Sequence, residues 1–296
     1  MIDMKLKTFV DVVETRSYTK AALRLHLTQP AVTQHIKQLE HHYQQILIQN
    51  PHKEFTLTKA GRCLYEYAKI QIHNEEIFEA QIQKIMPPLV IGSTLSIADY
   101  YLPEIIAPFI TASAQPCKIV VNNTSMLLQK MMDGEVDCAF VEGKFDTQLF
   151  DFHLFQEDRF IPVAKATHPL AKQNLVFSDI LKYPLFIREE GSGTRSILEL
   201  YLRQSMYSLT SFQKVIEVQS LTMMCKMMMV TEGITFVYEG VVKQQLQAGT
   251  LVRLHLSDFP LLHAMYFIYL KSNLEKDTFD TLFQNLMKAH SNVASA

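Results

Sequence analysis

Two adjacent prolines, Pro87 and Pro88, divide this chain into segments of different periodicity, and no single helical bundle or sheet accommodates both. Proline lacks a backbone donor and its ring collides with the preceding turn, so a helix arriving at this pair stops there. Before the prolines, apolar residues recur every three or four positions. After them, short apolar runs alternate with helical stretches. The first pattern predicts mainly helices and the second predicts a largely parallel sheet with helical crossovers. A chain of 296 residues has room for one small and one large domain of these two kinds.

Charge follows the same division. The whole chain carries a formal net charge of −2, but residues 16–62 carry +5 and residues 87–296 carry −4. A basic head on an acidic body confines phosphate neutralisation to one end of the molecule.

Within the head, Leu6, Phe9, Val10 and Val13 define a first amphipathic helix ending near Arg16. Ser17 reads as the N-cap of a second helix from Tyr18 to about Leu25, which buries Ala21, Ala22 and Leu25. Thr28 is a good cap for a third, with Gln29-Pro30 in its first turn. Val32, Ile36 and Leu39 form one stripe of that helix, leaving Gln29, Thr33, Gln34 and Lys37 on its outer face. Two short helices joined by a tight turn, the second presenting small polar side chains from its N-terminal end, fit the major groove of B-DNA. Glutamine can donate to and accept from adenine at once, and threonine can bond a base edge or meet a thymine methyl. A hairpin before Leu57 would carry His52-Lys53 at its tip, where Lys53 could touch a phosphate.

Phe9-Val10, the run from Ser17 to Ala22, Leu25 to Thr33, Ile36, Leu39-Glu40 and Leu57 to Gly61 together resemble the winged helix-turn-helix of the LysR-type transcriptional regulators. The resemblance implies that the third helix enters the major groove. Positions Gln29, Pro30, Thr33 and Gln34 then approach bases, and Thr19 and Lys20 approach phosphates. One stretch departs from the family, which usually has a glycine followed by Leu-Phe-x-Arg before the wing; here the chain reads His41 to Pro51, with glutamine where arginine is common. Every phosphate that goes unheld for want of that arginine should lower the salt dependence of binding by about one unit.

From Arg62 to Met86, Leu64, Tyr67, Ala68, Ile70, Ile72, Ile77, Phe78, Ile82 and Ile85 keep helical spacing, interleaved with Glu66, Lys69, Glu75, Glu76 and Glu79. A long solitary helix with an apolar stripe needs a partner, and in the family the matching segment pairs with its copy in a second subunit. The resemblance therefore implies a homodimer or homotetramer on an inverted-repeat duplex site. It also sets the expected architecture: residues 1–60 as the winged helix-turn-helix, 61–86 as a linker and dimerisation helix, and 87–296 as a two-lobed α/β effector domain like periplasmic binding proteins. Lobe one is expected over about 87–162 and 266–296, and lobe two over about 163–265.

In this body the strands read as Leu89 to Gly92, Ile119 to Val121, Cys138 to Val141, Phe160 to Val163, Leu185 to Ile187, Val215 to Val218, Ile234 to Val237 and Met265 to Leu270. A helix is expected from about Ile97 to Phe109 and a final one from Asp277 to Ala289. Ligands of open parallel sheets sit beyond the C-terminal strand ends. Thr94 and Ser96 follow the first strand of lobe one, and Ser192, Gly193, Thr194 and Arg195 follow the first strand of lobe two. In the family the matching turns face each other across the cleft and hold the effector. Hydroxyls, backbone N–H groups and an arginine suit an anionic effector, which Arg195 could grip bidentately. Glu142, after the third strand, would line the same cleft and bind an amino group; Ser220 is a further candidate. The alternative for each Ser or Thr is a plain helix cap.

Other classes find little support. No G-x-S-x-G, Walker, dinucleotide or H-E-x-x-H pattern marks an enzyme. A cytoplasmic small-molecule-binding protein or enzyme without DNA function is the alternative reading, and the N-terminal helices argue against it. No apolar run approaches the roughly 20 residues of a bilayer span, and the charged N-terminus does not read as a secretory signal, so a cytoplasmic location is expected. Cys63, Cys117, Cys138 and Cys225 are too scattered for a zinc or disulfide framework, and no cofactor or metal is expected. The methionine-rich run Met223 to Met229 suits helix core, where thioethers fill irregular gaps.

Overall fold

A computed structural model describes residues 3–49, 55–82, 87–257, 259, 261–273 and 276–294. The chain divides into two compact units: Met1–Pro88 with Met132–Glu135 and Ser272–Leu274, and the remainder, Leu89–Met131, Val136–Lys271 and Glu275–Ala296.

The first unit opens with α1 (Met4–Thr15), α2 (Tyr18–Arg24) and α3 (Gln29–Tyr43). Each begins on a side chain that takes up a free amide: Asp3 accepts from Lys5, Ser17 from Lys20 and Thr28 from Ala31. Phe9, Val12, Ala21, Ala22, Val32 and Ile36 form one core. The two alanines let α2 approach α1 and α3 closely. The Thr8 hydroxyl, buried on α1, lies 2.9 Å from His35 Nδ1 on α3 and ties the outer helices together.

Beyond α3, β1 (Ile48–Gln49) and β2 (Thr56–Leu57) pair antiparallel as the stem of a wing. Two polar side chains fix this stem. Glu40 accepts from the Leu47 and Ile48 amides at 2.9 and 3.4 Å, and the Thr58 hydroxyl donates to the Ile46 carbonyl at 2.7 Å. Leu47 and Ile48 thereby turn into the core. The candidate Lys53 lies outside the described residues. The long helix α4 spans Lys59–Ile82, starting two residues before the expected linker boundary because Thr58 caps it through the Gly61 amide, at 2.9 Å.

The second unit runs β3 (Leu89–Ser93), α5 (Leu95–Tyr100), α6 (Leu102–Ala112), β4 (Cys117–Val121), α7 (Thr124–Met132), β5 (Cys138–Glu142) and β6 (Phe150–Lys165). It continues through β7 (Asn174–Leu175), α8 (Phe177–Ile180), β8 (Pro184–Ile187), α9 (Gly193–Gln204), β9 (Lys214–Glu217), α10 (Leu221–Val230) and β10 (Ile234–Tyr238). It closes with α11 (Lys243–Gln247), β11 (Leu251–Arg253), β12 (His255–Leu256), β13 (Leu261–Leu270) and α12 (Lys276–Ala294). The main sheet has the order β4-β3-β5-β13-β6-β10-β8-β9, with β11 also paired to β6.

Strands are parallel within each lobe, β4-β3-β5 on one side and β10-β8-β9 on the other. Two antiparallel strands, β6 and β13, lie between them and belong to both. The strand expected at Phe160 to Val163 is the end of a 16-residue strand. Its first part alternates half-buried and exposed positions, with only Phe150 and Phe155 buried and Asp151, His153, Glu157 and Arg159 among the rest, which hides it from a search for apolar runs. The single helix expected from Ile97 to Phe109 is two helices broken at Tyr101, because Pro103 cannot supply the amide that would carry the first into the second.

Candidate DNA-reading face and effector cleft

At the N-terminal end of α3, Thr28, Gln29, Pro30 and Gln34 are exposed, as is Lys37 one turn further on, while Val32, Ile36 and Leu39 are buried. Thr33 is half-buried; its hydroxyl donates to the Gln29 carbonyl at 3.0 Å, and the Gln29 amide nitrogen donates to the Thr33 oxygen at 3.0 Å. This local bond holds the Gln29 side chain along the helix. Thr19 and Lys20, at the start of α2, are exposed too. Arg24, by contrast, is taken up by Asp11 at 3.1 Å and Glu14 at 3.0 Å of α1, which leaves it less available to a phosphate.

In the α/β unit the turns singled out from the sequence come together around one carboxylate. Thr94, Ser96, Glu142, Ser192 and Thr194 are all buried. Thr94 and Ser192 stand at helix starts, yet neither side chain caps its helix. The Thr94 hydroxyl instead donates to Glu142 Oε2 across from β3 to β5, and the Ser192 and Thr194 hydroxyls lie 3.0 Å apart. Ser220 does cap, accepting from the Met223 amide at 3.2 Å. Thr124 of α7, not foreseen from the sequence, donates to the Glu142 carbonyl at 2.8 Å and fixes that strand end.

Gly193 sits directly against the end of β5. A Cβ at Gly193 would come within 2.3 Å of the Glu142 carbonyl oxygen, and one at Gly143, where φ is +90°, within 2.9 Å of the Gly193 Cα. The two lobes thus touch backbone to backbone beside the cluster. A second junction runs from Asn123 to the Glu189 carboxylate at 3.3 Å and from the Ser125 amide to the Gly191 carbonyl at 3.2 Å.

Arg195 does not join the cluster. Its guanidinium donates to Glu199 at 2.8 Å, Glu217 at 2.7 Å and the Arg188 carbonyl at 3.2 Å. As the third residue of α9 it leaves the helix on the flank that faces Glu217 of β9, away from Thr94 and Glu142. The arginine near Glu142 is Arg188, buried beyond the end of β8 and held by both oxygens of Glu189 at 2.9 and 3.0 Å. Burial pushes the Glu142 carboxyl up to about 7, against the opposing pull of Thr94, Arg188 and Ser96.

Among the described residues, no group of His, Cys, Asp and Glu is arranged to hold a metal ion, and no helix is long and apolar enough to cross a membrane. The methionine-rich helix α10 is two-sided: Met224, Cys225 and Met228 are buried, while Met223 and Val230 are exposed.

Comparison with known proteins covers both units. Residues 4–62 match the bacterial regulatory helix-turn-helix family of lysR type, and residues 84–290 match the LysR substrate binding domain. The chain belongs to the LysR family. As a LysR-type protein it is a DNA-binding transcriptional regulator with an effector-binding domain. It is similar to the HTH-type transcriptional regulator CysL of Bacillus subtilis, 28% identical over 95% of this chain and 96% of CysL. The uncharacterized HTH-type transcriptional regulator YeiE of Escherichia coli is 28% identical over 83% of this chain and 84% of its own length. Full-length LysG from Corynebacterium glutamicum, solved with bound effector Arg, shares the fold at a TM-score of 0.70 and 18% identity, covering 99% of each chain. ArgP from Mycobacterium tuberculosis gives a TM-score of 0.73 at 19% identity, covering 98% of each.

Proposed function

We propose that this LysR-type regulator reads an inverted-repeat duplex through the N-terminal face of α3, and that a small molecule held at the Thr94–Glu142–Ser192 cluster controls it. The observation that carries the first half is the exposed row Thr28, Gln29, Pro30, Gln34 and Lys37 on a helix whose opposite face is fully spent on the core. Thr33, Gln29 and Gln34 read base edges; Thr19, Lys20 and Lys37 hold phosphates. Two copies are needed to match an inverted repeat, with half-sites about one helical turn apart or a multiple of it. Tyr67, Phe78 and Ile82, exposed on α4, supply an apolar face for a second copy. Met223 and Val230 on α10 and Ile119 and Val121 on the edge strand β4 are further apolar surface suited to a tetramer.

The second half rests on buried hydroxyls that cap nothing, gathered from both lobes at one point. That LysG was solved with an arginine bound and a Synechocystis CcmR regulatory domain with 2-PG supports a small charged metabolite in this role. With the lobes touching at Gly143 and Gly193, a ligand that enters the cluster changes the angle between them and so biases the geometry of the assembly on DNA. The work is done on DNA in the cytoplasm and without catalysis.

Fluorescence anisotropy on a cognate duplex, titrated with salt, tests the DNA half. Gln34→Ala should lose about 1–3 kcal/mol of discrimination between cognate and unrelated duplex. Lys37→Ala should weaken both equally and lower the salt slope by about one. Equal loss on all sequences for Gln34→Ala would remove α3 as the reading helix.

A further inference from the structure

Effector control, on which this inference rests, leaves open what kind of molecule enters the cleft. Hydroxyls beside the start of α9 are what an oxyanion needs, but a carboxylate of the chain itself packs against that start. Glu142 is 2% exposed, accepts from Thr94, and packs so tightly on Gly193 that a Cβ there would lie 2.6 Å from the Glu142 Cγ. An incoming sulfate or carboxylate would meet a like charge, and neither nearby arginine stands ready to offset it. Arg195 is taken by Glu199 and Glu217, and Arg188 is held by both oxygens of Glu189. Glu142 is therefore the charge of this cluster that lacks an ion pair of its own among the described residues.

The neighbouring surface has the same sign. A cavity of about 820 Å³ opens between the α5–α6 junction and residues 239–247, and Asp99, Glu104, Asp158 and Glu239 line it against Lys243. Tyr101, also in its wall, donates to Asp158 at 2.5 Å and lies close enough to Glu142 to feel its charge. Such a surface concentrates cations and repels anions.

We infer that the cleft takes an organic cation, a small molecule whose ammonium or guanidinium group pairs with the Glu142 carboxylate and donates to the Thr94 and Ser96 hydroxyls. The anion expected from the sequence would have been gripped by Arg195, whose guanidinium is instead held by Glu199 and Glu217. A buried carboxylate with hydroxyl acceptors around it instead offers a charge-assisted site for N–H donors. The charged and titratable groups that face Glu142 are Arg188 beyond β8, Tyr101 before α6 and Tyr238 from β10. Burial holds both phenols protonated, so Glu142 is the group that changes state near neutrality. Ionisation of a carboxyl titrating at about 7 rises about tenfold between pH 6 and pH 8, and cation affinity should rise with it.

Isothermal calorimetry on the full chain tests this, with putrescine, agmatine and L-lysine set against sulfate, phosphate and citrate. The expected result is binding of at least one of these cations, weaker by tenfold or more in Glu142→Gln and about tenfold stronger at pH 8 than at pH 6. The pH series on the unaltered chain decides the matter should the variant fail to fold. Binding of an oxyanion with none of the cations overturns the cation assignment and leaves effector control standing. Binding of neither set overturns both. Cation affinity that is flat in pH, or the same in Glu142→Gln, removes Glu142 as the partner.

Discussion

Glu142 shows how one buried side chain sets the chemistry of a site. In the unfolded chain its carboxyl ionises near its ordinary value of 4.5; in the folded protein burial raises it to about 7. The native state therefore holds a proton that the unfolded state has released, and stability falls as pH rises from about 4.5 to about 7, levelling off above. Below pH 4.5 both states are protonated and no penalty applies. The full penalty is roughly 3 kcal/mol. Glu142→Gln, which keeps an acceptor for Thr94 without the charge, should raise the melting temperature of the α/β unit by several degrees at pH 8 and leave it nearly unchanged at about pH 4. Scanning calorimetry at the two pH values checks this, and an equal shift at both would place the effect in packing instead. A second residue, Gly61, carries a purely steric demand: a Cβ there would lie 2.0 Å from the Leu47 carbonyl oxygen, in the wing stem. Gly61→Ala should lower the stability of the N-terminal unit, read as its thermal midpoint, by more than the small gain alanine usually brings to a helix.

Among the elements, α2 and α3 were legible because three independent signals agree on each: an apolar stripe, a capping side chain and a compatible turn. Thr28, Ala31 and the Val32–Ile36–Leu39 stripe fix α3 with no help from the rest of the chain. The long strand β6 was half hidden, since strand pairing on both edges stabilises a stretch whose polar residues would be read as loop. Residue roles in the cleft were harder still. Thr94, Ser192 and Glu142 could be proposed from their place after strands, but a serine that caps and one that does not look alike in sequence, as Ser220 and Ser192 illustrate. Nothing in the spacing of Arg188 and Arg195 foretold which would turn inward; that follows from Glu199 and Glu217 standing within reach of the second and Glu189 of the first. The start of α9 is where the proposed change of angle between the lobes would act, because Gly193 packs directly on the end of β5. Gly193→Ala forces a methyl against the Glu142 carbonyl and should part the lobes there. In that variant the DNA footprint should no longer change on adding a ligand that alters the footprint of the unaltered chain, and an unchanged ligand response would mean that this junction is not part of the switch.

The whole molecule joins a unit built for a charged, regular polymer to one built for a small ligand, and the change from helical to α/β periodicity at Pro87-Pro88 marks the junction in the sequence. In the proposed reading, control of transcription by the second unit depends on the first reading DNA as a symmetric pair. The most direct measurement is selection of duplexes from a random pool by the full chain, followed by sequencing of what is retained. Symmetric reading through α3 predicts an inverted repeat whose half-sites lie about one helical turn or more apart, and its disappearance from the selection made with Gln34→Ala. Retention of no preferred sequence at low salt, or of the same repeat by the variant, would contradict it.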